Sequence, residues 1–370
     1  MRSNRDIKIL MKKIKKMSYR ILINALLITI ISGITIYSST YTKTLSFIKK
    51  DIIWLFLGVV VYFIFSLIDY RIYRRYSKMI YGINFTLLIS VFLFGVTRLG
   101  AKRWIDIGFM NIQPSEFSKL MIVLTLSALL VDKYNLKFFG LKDVMKVGIH
   151  VLPIFLLIMK QPDLGTSLTL IAIFGVLIFV HGIDSKTIIT MLVSVVAFMP
   201  FAYFFLLKEY QKTRILTFLN PEKDLLGSGW NVTQSMIAVG SGGLYGKGLF
   251  QGTQSKLKFL PESHTDFIGA VFLEETGLIG GIILLGLYYL LIYNIARIGN
   301  NCGDEYGKLI CYGIAAIIFF HTTVNIGMII GVMPVTGLPL LLMSYGGSSY
   351  LFTFMMLGIV QSIKIHTDKY

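Results

Sequence analysis

The chain has 370 residues, 55% of them apolar and only 15% charged. That balance argues against two or three soluble domains, and it removes nucleic-acid binding as the reason for a formal charge of +17. Apolar runs of roughly 17 to 25 residues recur along nearly the whole length, each long enough to cross about 30 Å of hydrocarbon as a helix and none alternating with the period-two pattern of a barrel.

Ten helical spans are predicted, at 21–39, 52–68, 79–97, 115–131, 144–159, 164–182, 187–207, 266–296, 309–332 and 344–365. The fold class is therefore an all-α polytopic membrane protein, with one long extracellular connection, 208–265, between the seventh and eighth spans. Segment 1–20 carries eight Lys and Arg but no cleavable apolar core, so it reads as a basic cytoplasmic leader to one domain over 21–365. Residues 366–370 form a cytoplasmic tail. With the amino terminus inside, the inner loops hold about 21 basic residues, among them Arg71, Arg74, Arg75 and Lys78, against about seven in the short outer loops. Both termini are thus expected in the cytoplasm. Cys302 and Cys311 fit neither a zinc spacing nor a disulfide framework.

Between the third and fourth spans, Arg98, Lys102 and Arg103 beside Trp104 sit on the outer side, against the positive-inside trend. They suggest an anion site, the alternative being interfacial snorkelling. Gln113 to Lys119 then opens the fourth span and puts Glu116 and Lys119 at i and i+3 on one helix face. An ion pair at membrane depth is costly unless it faces a polar cavity or is purely structural. Lys160 to Ser167 joins two spans, with Gln161 and Asp163 at the join; Asp163 alone would serve as an N-cap.

The long segment contains Arg214, then NPEKD, then the glycine-dense GSGGLYGKGLFQGTQ. Glycines at this density permit positive φ and so permit N–H groups to converge on an anion. Neither a Walker loop nor a dinucleotide fingerprint fits: Lys247 is followed by Gly248, and Gly240 and Gly242 lack the third glycine. The segment ends in KLKFLPESHTDF, where Glu262, His264 and Asp266 approach the eighth span. Desolvating an ionised aspartate costs several kcal/mol, so Asp266 is either functional or the N3 member of a capping box with Ser263. Its ordinary pKa of about 3.9 would leave it ionised. Glu274 reads as a buried network member two turns on, and His321 with Asn325 as a polar pair within the ninth span. Together these residues describe an outward polar cavity with anion-binding cations and a candidate base. With no ATP outside the cell, a synthetic reaction there needs a donor that carries its own leaving group, such as a lipid-borne sugar pyrophosphate.

GAKRWIDIGFMNIQPSEFSKL, KQPDLGTSL, the segment from RILTF to ESHTDFI, and PVTGLPLLLMSYGGSS occur in this order. They resemble the SEDS proteins (shape, elongation, division and sporulation; RodA, FtsW and SpoVE), and GTQSKLKFLPESHTDFI is similar to the RodA branch rather than to FtsW. The resemblance implies a bacterial cytoplasmic-membrane peptidoglycan glycosyltransferase for cell elongation and shape. Such an enzyme polymerises lipid II into glycan strands outside and releases undecaprenyl pyrophosphate. By motif, Asp266 matches the essential aspartate and becomes the general base, while Glu116 and Lys119 match a functional ion pair. Glu262, His264, Gln161 and Asp163 would support the cavity. Arg98, Lys102, Arg103 and Arg214 would hold pyrophosphate. No cofactor is required, and a divalent cation, Mg2+ or Mn2+, is an optional aid. The expected partner is a class B penicillin-binding protein, a transpeptidase. Competing classes are a lipid II flippase and a scaffold that only activates the transpeptidase. One departure is Leu341, which replaces a proline common in the family and leaves the approach of the last span open.

Overall fold

The computed structural model describes residues 13, 16–40, 46–98, 101–108, 111–134, 139–221, 228–257 and 259–367. Most of segment 1–20, part of the NPEKD stretch, Lys258 and the end of the tail lie outside them.

Long helices dominate. In chain order they are α1 (Tyr19–Thr40), α2 (Ser46–Leu67), the short α3 (Arg71–Arg75), α4 (Ser77–Phe94), α5 (Pro114–Lys133), α6 (Leu141–Lys160) and α7 (Leu164–His181). Next come α8 (Ser185–Phe201), extended by a π-turn at Ala202–Leu206, and the loop helices α9 (Glu209–Leu219), α10 (Ser228–Gly242) and α11 (Thr253–Lys256). Last are α12 (Ile268–Asn300), α13 (Glu305–Ile329) and α14 (Gly347–His366). Among the described residues nine helices are long and apolar enough to span a bilayer. The predicted fifth span falls on the 20-residue α6, a helix that is not among those nine. Lys142, Asp143, Lys146 and Lys160 sit within that helix and shorten its uninterrupted apolar stretch. A small antiparallel sheet, β1 (Val96–Arg98), β2 (Ala101–Asp106) and β3 (Asn111–Ile112), is added between α4 and α5, where strands were not expected.

Local chemistry fixes several helix starts. Asp163, Asp184 and Asp304 each cap the helix that follows, accepting from Thr166 N, Thr187 N and Gly307 N at 3.2, 3.0 and 3.2 Å. Each such cap contributes about 1 kcal/mol. Pro114 opens α5 at its first position, where a missing N–H costs nothing. At the centre, α5, α13 and α14 are mostly buried and carry the main core. Close helix approach depends on small residues there: a Cβ on Gly58 of α2 would stand 2.5 Å from the Phe354 ring of α14.

α12 is not one helix. At Gly277 the backbone turns to φ 66° and ψ −164°, dividing 33 residues into a short first piece and a long second one. Backbone freed by a break within a membrane protein must find partners in protein. Lys247 N and Gly248 N donate to the carbonyls of Glu274 and Glu275, both at 3.0 Å. Leu278 N and Ile279 N donate to Gly243 O and Leu244 O at 2.9 and 3.2 Å. The glycine-rich loop thus completes the broken helix. A side chain at Gly277 would collide with this loop, its Cβ 2.4 Å from Gly246 N.

The last span begins at Gly347, three residues later than 344, because Leu340 to Ser344 form a turn. Ser32 Oγ donates to Met343 O at 2.6 Å and Tyr288 OH to Leu341 O at 2.5 Å. Hydrogen bonds from α1 and α12 therefore hold the approach that a proline ring would otherwise restrain.

Candidate active site

Three polar clusters converge on one end of the bundle. The first is built on the turn between α6 and α7. Asp163 does more than cap: its Oδ2 accepts from Ser115 Oγ at 2.9 Å and Gln113 Nε2 at 3.0 Å. Arg103, on β2, donates from Nε to Gln161 O at 3.1 Å and from Nη2 to Pro162 O, and its Nη1 lies 4.0 Å from Asp163 Oδ1. Gln161 is itself anchored by Nε2 to Leu88 O at 2.9 Å. The small sheet therefore serves to hold Arg103 against the α6–α7 turn.

The second cluster surrounds Asp266. This residue lies in the turn before α12 and is half-buried; the helix cap is Phe267, with no side-chain cap hydrogen bond. The capping-box alternative is thereby removed. Asn325 of α13 fixes the backbone, donating from Nδ2 to Asp266 O and to Leu338 O, both at 2.9 Å. Burial, then the neighbouring Glu262 carboxylate, pushes the Asp266 carboxyl up to about 6, against the opposing charges of Arg214 and Arg103. Arg214 on α9 donates to Thr336 O at 3.3 Å and lies over the Tyr210 ring at 5.9 Å. Burial first, and the charge of Arg103 second, lower its proton affinity. Arg103, Arg214, Asp163 and Asp266 thus share one electrostatic neighbourhood.

Glu262 is exposed, its carboxylate accepting from Thr265 Oγ1 at 2.9 Å. His264 packs edge-on against Phe47 at 5.0 Å and accepts at its carbonyl from Tyr345 N at 3.0 Å. These contacts tie the acidic motif to α2 and to the turn before α14.

The third cluster lies one helical turn deeper along α13. Lys119 Nζ is fully buried and donates to both Glu116 oxygens at 2.9 Å and to His321 Nε2 at 2.9 Å. His321 Nδ1 meets Pro339 O at 2.9 Å. The Phe352 ring centroid stands 4.9 Å from the ammonium, adding a cation–π contact. The predicted Glu116 and Lys119 pair is present. The expected His321 and Asn325 pair is instead divided, one residue serving Lys119 and the other Asp266. An i, i+4 spacing of His and Asn in an apolar span marked both residues, but their partners come from distant segments.

Not every predicted cation joins the site. Lys102 Nζ donates to Phe92 O at 2.6 Å and so satisfies a carbonyl at the end of α4. Arg98 pairs through its backbone with Ala101, and its side chain, like that of Lys256, lies outside the described residues. The glycine-rich loop converges on an anion, as expected, but the anion belongs to the protein. Glu274, fully buried, accepts from Lys247 Nζ at 2.7 Å, Thr253 N at 2.8 Å and Thr253 Oγ1 at 2.9 Å. Glu275 takes the N–H groups of Phe250 and Gly252 and the hydroxyl of Ser38.

Residues 15–369 match the family model for FtsW, RodA and SpoVE, described as a cell cycle protein. The peptidoglycan glycosyltransferase MrdB of Escherichia coli K12 is 39% identical over 345 residues, 92% of this chain and 91% of that protein. RodA of Treponema pallidum, also a peptidoglycan glycosyltransferase, is 34% identical over 420 aligned positions, 93% of this chain and 96% of the relative. Among solved structures, a chain of a peptidoglycan synthase complex that coordinates polymerization and crosslinking superposes with a TM-score of 0.83 at 28% identity. It matches 95% of this chain and 99% of its own.

Proposed function

From the premise that this chain belongs to the FtsW/RodA/SpoVE family, we infer the chemistry of its site: it is a RodA-like peptidoglycan glycosyltransferase that polymerises lipid II at the outer face of the cytoplasmic membrane. The observation that carries the mechanism is Asp266, a half-buried carboxylate that caps no helix and stands in the field of Arg103 and Arg214. In the reaction the acceptor sugar 4-hydroxyl attacks the anomeric carbon of the donor. The new glycosidic bond forms as the bond to pyrophosphate breaks, and undecaprenyl pyrophosphate leaves with the electron pair. Asp266 takes the hydroxyl proton. A sugar hydroxyl is a far weaker acid than a carboxyl group, so proton transfer is concerted with attack.

Arg103 and Arg214 meet the charge that grows on the leaving pyrophosphate. Arg98 and Lys102 remain assigned to the same anion from the sequence, with Lys102 the weaker candidate because Phe92 O already holds its ammonium. Glu116, Lys119 and His321 brace the wall formed by α13, on which Asn325 positions Asp266. Mg2+ or Mn2+ would be an optional aid to the same charge. The leaving-group charge is met by the chain's own cations. The excess of basic residues in the loops assigned to the inside supports a cytoplasmic position for both termini. Kinship with a chain of a complex that couples polymerization to crosslinking supports a class B penicillin-binding protein as partner.

Purified protein, labelled lipid II and the transpeptidase partner provide the test. Glycan polymer from the native chain and none from Asp266→Asn supports the assignment. Full polymerisation by Asp266→Asn refutes it, and translocation of lipid II without polymer makes the chain a carrier.

A further inference from the structure

A groove of about 330 Å3 opens sideways between α4 and α6, at the end of the bundle that carries the site. Its wall is apolar: Phe85 from α4, and Pro153, Leu156 and Met159 from α6. Phe85 and Leu156 remain 36% and 50% exposed, so their apolar faces are open to a partner. At one end the lining changes character, to Lys160, Lys208 and Gln211. Both lysines are exposed, and among the described residues neither forms an ion pair with a carboxylate. The polar end also adjoins the site directly. Lys160 precedes Gln161, whose carbonyl accepts from Arg103, and Gln211 lies one turn before Arg214 on α9.

An apolar channel capped by two unpaired ammonium groups fits a hydrocarbon chain with an anionic head. Allowing about 30 Å3 for each water-sized or methylene-sized group, the volume holds one chain of roughly ten carbons. We propose that this groove docks the first isoprene units of the polyprenyl donor, with Lys160 and Lys208 gripping its phosphate before Arg103 and Arg214 receive it. The proposal rests on the glycosyltransferase reading for the identity of the lipid. Snorkelling lysines at the interface offer the simpler account of the two cations, and they predict no dependence on the groove wall.

Equilibrium binding to the full chain in detergent separates the two, using undecaprenyl pyrophosphate, farnesyl pyrophosphate and inorganic pyrophosphate as probes. Leu156→Trp should weaken both prenyl probes about tenfold and leave inorganic pyrophosphate unchanged. The Lys160→Gln, Lys208→Gln double variant, which alters only exposed side chains and should keep the native melting curve, should weaken all three. Phe179→Trp, on the lipid-facing side of α7, is the control and should bind as the native chain does. Native affinity in both groove variants, or equal weakening by Phe179→Trp, overturns the proposal. Displacement of undecaprenyl pyrophosphate by phosphatidylglycerol at equal affinity overturns the commitment to a polyprenyl chain. Because binding is read without turnover, groove-dependent binding by a protein that makes no polymer would sink the enzyme reading alone.

Discussion

Lys119 and His321 meet at 2.9 Å between α5 and α13, and the chemistry of the pair fixes its proton. An ammonium only donates, so His321 Nε2 is the acceptor and Nδ1 carries the hydrogen given to Pro339 O. His321 is therefore neutral, and the single positive charge is balanced by Glu116. Removing one member of a buried pair leaves the other uncompensated, at about 3–5 kcal/mol. Lys119→Met should lose stability on that scale. The double variant Glu116→Gln, Lys119→Met should recover most of it, as read by thermal unfolding in detergent and a double-mutant cycle.

The Asp266 carboxyl, pushed up to about 6 by burial and Glu262, sets a pH dependence. Only the ionised form takes a proton, so polymerisation should climb about tenfold per pH unit below 6 and level off above it. The stability effect has the opposite sense. A folded-state pKa above the unfolded value of about 3.9 means the folded chain holds more protons between the two values. Stability therefore falls as pH rises from about 4 to 6 and stays lower beyond. Asp266→Asn should abolish polymer formation yet raise stability at pH 8 by about 1–3 kcal/mol. An unchanged or lower melting temperature would show that the carboxylate is not held at a cost.

How much of this was legible in the sequence depends on the range of the interaction. Spans, the Asp163 cap and the Glu116 and Lys119 pair follow from periodicity and i, i+3 spacing, which are local. The break at Gly277 was legible only as a span too long for one crossing, because its cause is a loop that returns about thirty residues earlier in the chain to bond Glu274 and Glu275. His321 stood out as a polar residue in an apolar run, yet its partner Lys119 is 202 positions away. Lys102 and Arg103 are adjacent and chemically alike. Alternation along β2 sends one to the end of α4 and the other to the α6–α7 turn, and no strand was expected there.

That divergence makes a paired prediction. Arg103→Ala should lower kcat/KM for lipid II by about 10- to 100-fold, because it removes a guanidinium from the leaving-group field and two anchors from the Gln161 and Pro162 carbonyls. Lys102→Ala should stay within about threefold, since its ammonium satisfies a helix-end carbonyl where water can substitute. Equal losses in steady-state kinetics would show that the sheet does not separate their roles.

Glu274 is the anchor from which the acidic motif is suspended. Its carboxylate holds Lys247 Nζ, Thr253 and Gln254 N, and Gln254 O in turn accepts from Phe259 N at 3.0 Å and Leu260 N at 3.3 Å, just ahead of Glu262 and Asp266. Glu274→Ala would remove the buried carboxylate that gathers a partly exposed ammonium and two N–H groups of the loop, a loss of about 1–3 kcal/mol concentrated in the loop rather than in the spanning helices. Limited proteolysis should then cut within 243–257 at least tenfold faster, while the part of α12 that follows Gly277 stays protected. Polymerisation should fall through kcat more than KM, because Asp266 loses its fixed position before it loses substrate contacts. Glu274→Gln keeps an acceptor for Thr253 N and should recover part of both effects. Cleavage and kcat at native levels in Glu274→Ala would mean that Asn325 alone positions Asp266.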